Sequence, residues 1–343
     1  MDITLFLVLT SLAIVVSLAF AFTNGFQDAS SIVATAIASG AVSPKGAVSN
    51  IAIGCVVGTL VSGSAVSNTI QGLVSIESEQ VLLEVIVAAV LASSAWNLVT
   101  WRYGVPSSST HAIVGGLVGA GLFAAGPDDI FWGFAELADG ELVGLTKVLV
   151  FLLVSVAFGF IGGFLLQRFS ETALRGADRS VNRPIKRSQL VTVTILGISN
   201  GANDSQKQMG LMSIALFAGG YATTLEIPMW VRLSVGMVMA MGILGGGWRI
   251  MRTVGRGIYP LEPVHSLNSQ IASGASVLWS TVSGAPVSST QVVSSSIIGI
   301  GSAENVKKVR WKVGKDIVLS WLLTIPVTMI ISGAIYLALH WMT

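Results

Sequence analysis

The sequence predicts an all-α polytopic membrane protein: two inverted-topology repeats of about five spans each, with broken helices or re-entrant hairpins. Three observations predict it. Only 10% of the 343 residues are Asp, Glu, Lys or Arg, while 52% are hydrophobic; a soluble domain carries roughly 25% charged residues. Apolar runs of bilayer-spanning length recur along the chain. Two polar motifs each occur twice, in the same order.

The uninterrupted apolar runs lie at 3–22, 47–66, 81–101, 144–167, 230–248 and 316–340. The first lacks a basic n-region and exceeds a typical signal-peptide core, so it reads as a retained span. Four further stretches are interrupted. The stretch 3–39 reads as too long for one helix and carries Asn24, Gly25, Gln27 and Asp28 in its middle. The stretch 190–217 carries Asn200, Gly201, Asn203, Asp204 and Lys207. The stretches 105–125 and 266–301 break at Pro106 and Pro286 beside Ser/Thr clusters. Polar groups at bilayer depth survive only where protein or a water-filled cavity surrounds them, so these four breaks mark the expected functional centre.

Charge placement orients the spans. Segments 168–188, 249–256 and 303–315 are rich in Lys and Arg and read as cytoplasmic. Segment 127–141 and the Glu77/Glu79 loop are acidic and read as external. Threading the spans through these loops places an odd number in each half and both termini outside. The expected division is 1–167 as the first repeat, 168–189 as a basic cytoplasmic linker and 190–343 as the second, inverted repeat. Trp96, Trp101, Trp230, Trp248, Trp279, Trp311, Trp321 and Trp341 read as an interfacial belt, and Arg102 as a snorkelling side chain.

The halves resemble each other at the breaks. Asn24-Gly25-Phe26-Gln27-Asp28-Ala29-Ser30 aligns with Asn200-Gly201-Ala202-Asn203-Asp204-Ser205-Gln206. Pro106-Ser107-Ser108-Ser109-Thr110-His111 aligns with Pro286-Val287-Ser288-Ser289-Thr290-Gln291. Asp precedes Pro by 78 residues in the first half and by 82 in the second. In secondary transporters, inverted repeats place substrate and coupling-ion sites at their interface near the midplane.

Each motif has a chemistry. An ionised Asp at mid-bilayer is costly unless a cation or donor meets it. Asn side chains, and carbonyls freed where an adjacent Gly unwinds the helix, add neutral oxygens. Asn24, Asp28, Asn200, Asn203 and Asp204 therefore form a candidate site for Na⁺, or for a proton carried on Asp. The plainer reading is that the two Asp pair with Lys207 or cap half-helices; their repetition argues against it. Pro followed by Ser and Thr is a helix-start pattern. Such starts offer unpaired N–H groups and the positive dipole end. Ser107, Ser108, Ser109, Thr110, Ser288, Ser289 and Thr290 would then hold an anion between two helix tips, against the plainer role of close helix packing. Lys207, three residues after Asp204, can balance it or touch the anion. His111 can bond the anion or relay a proton, against the equally weighted plainer reading of a satisfied buried histidine.

Several classes are excluded. A net charge of +2 creates no field for nucleic acid. Cys55 is the sole cysteine, which excludes a disulfide within the chain, and His111, His265 and His340 make no spaced metal motif. Nothing supplies an activated nucleophile, so no enzyme and no covalent cofactor is expected.

The segments NGFQDASSIVATAIASG (24–40), GVPSSSTHAIVGGLVGAG (104–121), SNGANDSQKQMG (199–210), EPVH (262–265), GAPVSSTQVVSSSIIGIG (284–301) and WKVGKDIVLSWLLTIP (311–326) together resemble the inorganic phosphate transporter (PiT) family over nearly the whole chain. The resemblance implies cation-coupled symport of inorganic phosphate, an inverted-repeat fold with re-entrant hairpins, and a homodimer. It also implies cations at the Asp/Asn motifs and phosphate at the Ser/Thr clusters. The chain departs from the family where Gln27, Ser31 and Gln291 stand. Fewer titratable groups favour Na⁺ over H⁺. The absence of a large central domain argues against regulation through one. A sulfate permease of the same fold and an anion channel are the alternatives. Both Asp are present, and HPO₄²⁻ has a proton an Asp can accept whereas sulfate does not, which favours phosphate.

Overall fold

The computed structural model describes residues 3–343, apart from the side chains of Ala29, Arg179 and Trp248. Among the described residues, thirteen helices follow in order: α1 (Ile3–Ala38), α2 (Pro44–Val61), α3 (Ala65–Gln71), α4 (Glu79–Tyr103), α5 (Ser109–Ala124), α6 (Phe134–Ala138), α7 (Gly144–Ala173), α8 (Asn182–Ala218), α9 (Met229–Gly245), α10 (Trp248–Gly257), α11 (Pro263–Val282), α12 (Ser289–Asn305) and α13 (Trp311–Met342). Among the same residues the only β pairing is an isolated bridge between Val74 and Ile130. Helices α1, α2, α4, α7 and α13 are each long and apolar enough to cross a membrane. Helices α9 and α10 qualify together as a pair bent by 71°.

Local chemistry explains the ends. Pro44 starts α2, where a missing N–H costs nothing, and Ser43 Oγ accepts from Gly46 N. Glu262 and His265 form a reciprocal cap at the start of α11. At the end of α4, Gly104 turns left-handed (φ 68°) and releases the chain toward Pro106. Gly284 does the same after α11 (φ 69°).

The two Pro breaks therefore stand, but the expected breaks at Asn24–Asp28 and Asn200–Asp204 do not. Helices α1 and α8 run unbroken through both motifs. Their glycines permit close packing instead of unwinding. A Cβ on Gly25 would overlap the Met239 carbonyl of α9, and one on Gly201 would overlap the Cys55 carbonyl of α2. With each backbone N–H still bonded within its helix, the Asn, Gln and Asp side chains turn into the bundle and supply the polar groups there. The length of α8 has a second cause: its first turns carry the exposed Arg183, Lys186 and Arg187 and lie beyond the apolar part.

The run 230–248 also departs from a simple span. It stops at Gly245, and after Gly246 (φ 64°) and Gly247 the chain resumes as α10. The basic segment 249–256, expected as a loop, is thus an amphipathic helix. Ile250, Met251 and Val254 are buried while Arg249, Arg252 and Arg256 are exposed. Among the tryptophans, Trp230, Trp279, Trp311 and Trp341 are exposed, as a belt requires. Trp321 is buried and donates to the Pro106 carbonyl at 3.2 Å, bracing the α4–α5 elbow instead. The Trp248 side chain lies outside the described residues.

The helix contacts repeat under exchange of the halves. Helix α2 packs on α8 as α9 packs on α1; α4 on α1 as α11 on α8; α5 on α13 as α12 on α7; and α3 on α8 as α10 on α1. Large apolar side chains such as Leu153, Leu322 and Ile330 face outward, while Asn, Asp, Ser and Thr fill the interior between α1, α5, α8 and α12. This is the distribution of a protein whose solvent is hydrocarbon.

Two glycines test the packing argument. Gly25→Ala and Gly201→Ala should each lower stability by about 1–3 kcal/mol through overpacking. Gly274→Ala, whose Cβ would meet only Leu196 Cδ1 at 3.8 Å, should be neutral or slightly stabilising. Thermal unfolding of the detergent-purified variants reads the difference; equal melting temperatures for all three would contradict it.

Candidate functional site

The site grows from two matching elbows. After α4, Gly104 N–H bonds Trp101 O and Val105 N–H bonds Thr100 O. After α11, Gly284 N–H bonds Thr281 O and Ala285 N–H bonds Ser280 O. Each elbow satisfies its helix's last carbonyls while the following Pro forbids continuation. The chain then restarts at an N-capping serine. Ser108 Oγ accepts from His111 N at 3.1 Å, and Ser288 Oγ accepts from Gln291 N at 3.4 Å. Ser107, Ser108, Ser109, Thr110, Ser288, Ser289 and Thr290 are all buried. The two tips meet: Thr110 Oγ1 of α5 donates to Val287 O at the head of α12 at 2.7 Å.

Asp28 lies between the tips. Ser109 Oγ of α5 donates to Asp28 Oδ2 at 2.7 Å, and Thr290 Oγ1 of α12 donates to Oδ1 at 2.8 Å. One buried carboxylate is thus gripped by a hydroxyl from each half. Asp204 is met differently. Its Oδ1 accepts from Lys207 Nζ, and that ammonium also donates to Thr110 Oγ1 at 2.6 Å and Val287 O at 3.1 Å. Its Oδ2 has no hydrogen-bond partner among the described residues. The plainer reading of Asp204, an ion pair with Lys207, is therefore part of the geometry.

Neighbouring amides lock the elbows to α1 and α8. Asn203 Nδ2 donates to Thr281 Oγ1 (3.0 Å) and Ala285 O (3.1 Å), and its Oδ1 accepts from Val287 N (3.2 Å). Asn203 is thus a brace for the second elbow. Gln27, its counterpart, donates to Ser107 Oγ in the first. Asn24 Oδ1 and both amide atoms of Asn200 are buried without partners among the described residues. They are polar groups free to meet a ligand. His111 Nδ1 approaches Gln291 Nε2 at 3.4 Å across the two tips. Arg102 is exposed at the end of α4, and its carbonyl accepts from Arg249.

All twelve candidate residues thus lie in the buried polar interior, on α1, α8 and the two tips. Sequence reasoning missed Thr281 and Gln206, and it noted Gln27 and Ser31 without counting them among the site residues. Gln27 and Ser31 were detectable by alignment with Asn203 and Lys207. Gln206 Oε1 accepts from Val66 N and Ser67 N, capping α3 from another helix, and nothing in the sequence announces that.

The arrangement offers oxygen ligands with single carboxylates, which suits a monovalent hard cation. No group of three or more His, Cys, Asp or Glu gathers among the described residues. Beside those oxygens stand two helix starts with dipoles and hydroxyls suited to an oxyanion.

The profile of the phosphate transporter family matches residues 24–176 and 167–332. The chain is 34% identical, over 97% of its length and 98% of the relative's, to the "Probable low-affinity inorganic phosphate transporter" of Bacillus subtilis (strain 168). It is 35% identical to the protein of the same name from Rhizobium meliloti (strain 1021), over 98% of each. A solved structure, "The sodium-dependent phosphate transporter", shares the fold, with a TM-score of 0.83 and 24% identity over 98% of this chain and 100% of that one. The relatives are named as transporters, not enzymes. With its apolar membrane-crossing helices and a family match over most of its length, the chain is a multi-pass membrane protein of the phosphate transporter family.

Proposed function

We propose that the chain is a cation-coupled symporter of inorganic phosphate in the cell membrane, with Na⁺ favoured over H⁺ as the driving ion. The single observation that carries the reading is Asp28, whose two oxygens take hydroxyls from the starts of α5 and α12. A cation at Asp28 draws those oxygens to itself. The hydroxyls of Ser109 and Thr290, donors to Asp28 until then, are released to an incoming anion. Cation and phosphate therefore bind in support of each other: the cation frees donors, and the anion's charge offsets the cation's.

Phosphate sits between the tips at Ser107, Ser108, Ser109, Thr110, Ser288, Ser289 and Thr290, held by hydroxyls and the first-turn N–H groups. Asn24, Asp28, Asn200, Asn203 and Asp204 supply the cation-side oxygens. The halves act as two inverted repeats, 1–167 and 190–343, joined by the basic linker 168–189. Rocking of one against the other opens the pocket alternately to each face. The exchange symmetry of the helix contacts supports this motion. Both termini lie outside, by the basic and acidic loop pattern, and two copies assemble as a homodimer. Sodium is supported by the oxygen-rich, histidine-poor pocket and by the structural relative, which is named as sodium-dependent.

Asp28→Asn should cut initial phosphate uptake in proteoliposomes by at least about tenfold with expression intact, since a lost charge-assisted bond costs about 1.5–3 kcal/mol. Normal uptake would reject the assignment. Ser109→Ala and Thr290→Val should each raise the KM for phosphate and the half-saturating cation concentration together. A shift in only one of the two would break the proposed exchange of donors. Excess sulfate should leave labelled phosphate uptake unchanged; strong competition would favour the sulfate permease.

A further inference from the structure

Lys207 is completely buried, yet its ammonium has a full set of oxygen partners. They are the Asp204 carboxylate, the Thr110 hydroxyl at 2.6 Å and the Val287 carbonyl at 3.1 Å. A carboxylate, a threonine hydroxyl and a backbone carbonyl are hard oxygens, the donors a small monovalent cation takes. Exchanging the halves maps Asp204 onto Asp28, Thr110 onto Thr290, Val287 onto Ser107 and Lys207 onto Ser31. The first-half group is already assembled in part: Thr290 Oγ1 donates to Asp28 Oδ1 at 2.8 Å and lies 3.1 Å from Ser31 Oγ. The halves thus present the same kinds of oxygen, but one holds a covalently attached cation where the other has a short hydroxyl.

We propose that Lys207 is a tethered cation that permanently fills the second-half ion position, leaving the Asp28 position alone for an exchangeable ion. The inference rests on the cation-coupled reading and refines it, since Asp204 then contributes charge balance without binding an ion that leaves. The chain uses one fewer exchangeable cation per cycle than a fully symmetric pocket would. The ammonium also ties α8 to both tips through Thr110 and Val287, so the second half holds its tip in place whether or not an ion is bound. Only the first half waits for one. Lys207 is therefore a determinant of ion number, acting through Asp204 and the tips.

The experiment replaces the lysine by its counterpart, Lys207→Ser. In proteoliposomes, labelled phosphate uptake is titrated with NaCl at constant total salt with choline chloride. The variant should need one more Na⁺ than the wild type, raising the Hill coefficient from about one to about two, with a higher half-saturating Na⁺ concentration. Independently of transport, the melting temperature of the purified variant should rise more with NaCl over choline chloride than that of the wild type. The double variant Asp204→Asn/Lys207→Ser should lose that gain. A variant recovered folded only when purified in Na⁺ supports the assignment; one lost in Na⁺ and choline alike overturns it. A folded Lys207→Ser protein whose melting shows no added Na⁺ dependence also overturns it. A wild type whose uptake ignores every cation gradient would overturn the coupling reading instead, and the melting comparison would still decide the lysine's role.

Discussion

A carboxylate buried between the starts of two separate helices is the constraint around which the molecule is arranged. An ionised group at bilayer depth is tolerable only where donors surround it, and Asp28 draws its donors from both halves. The elbows serve that requirement, because a chain that stops and restarts inside the bundle presents the hydroxyls of its first turn there. The glycines of α1 and α8 let α9 and α2 pack directly on the two helices that carry the carboxylates. The same requirement explains the apolar exterior, which keeps the polar centre away from lipid.

The halves are alike in contacts and unlike in charge. Exchange of the halves preserves which helix packs on which and pairs Asp28 with Asp204, yet Ser31 faces Lys207 and Gln27 faces Asn203 in the alignment. A protein with two equal halves would have no reason to prefer one carboxylate for an exchangeable ion. Here Asp204 is joined to an ammonium on its own helix, while Asp28 depends on groups from other helices. Equal architecture with unequal chemistry allows one half to serve as a fixed frame while the other responds to an ion.

Much of this was legible in the sequence, and the failures have physical causes. Pro106 and Pro286 announce their elbows because each follows a helix-ending glycine (Gly104, Gly284) and lacks the N–H that would continue the helix, and the serines that follow are natural caps. The pair Asp204/Lys207 was visible in its three-residue spacing. The motifs at Asn24 and Asn200 misled because Gly and Asn lower helix propensity locally. Packing against a neighbouring backbone outweighs that preference, and only tertiary contact reveals it. The basic segment before Gly257 read as a loop because its apolar residues are few. They nonetheless fall on one face and bury against α1. The cap that Gln206 places on α3 joins residues about 140 positions apart and left no local trace.

The central claim is that cation and phosphate share one pocket and move together. The most direct measurement is accumulation of radiolabelled phosphate in proteoliposomes of the purified protein under an imposed inward Na⁺ gradient, with an inward proton gradient as the comparison. The account predicts transient accumulation above equilibrium under the Na⁺ gradient, collapsing when the gradient is dissipated. Equilibration to the same level whichever gradient is imposed would contradict it.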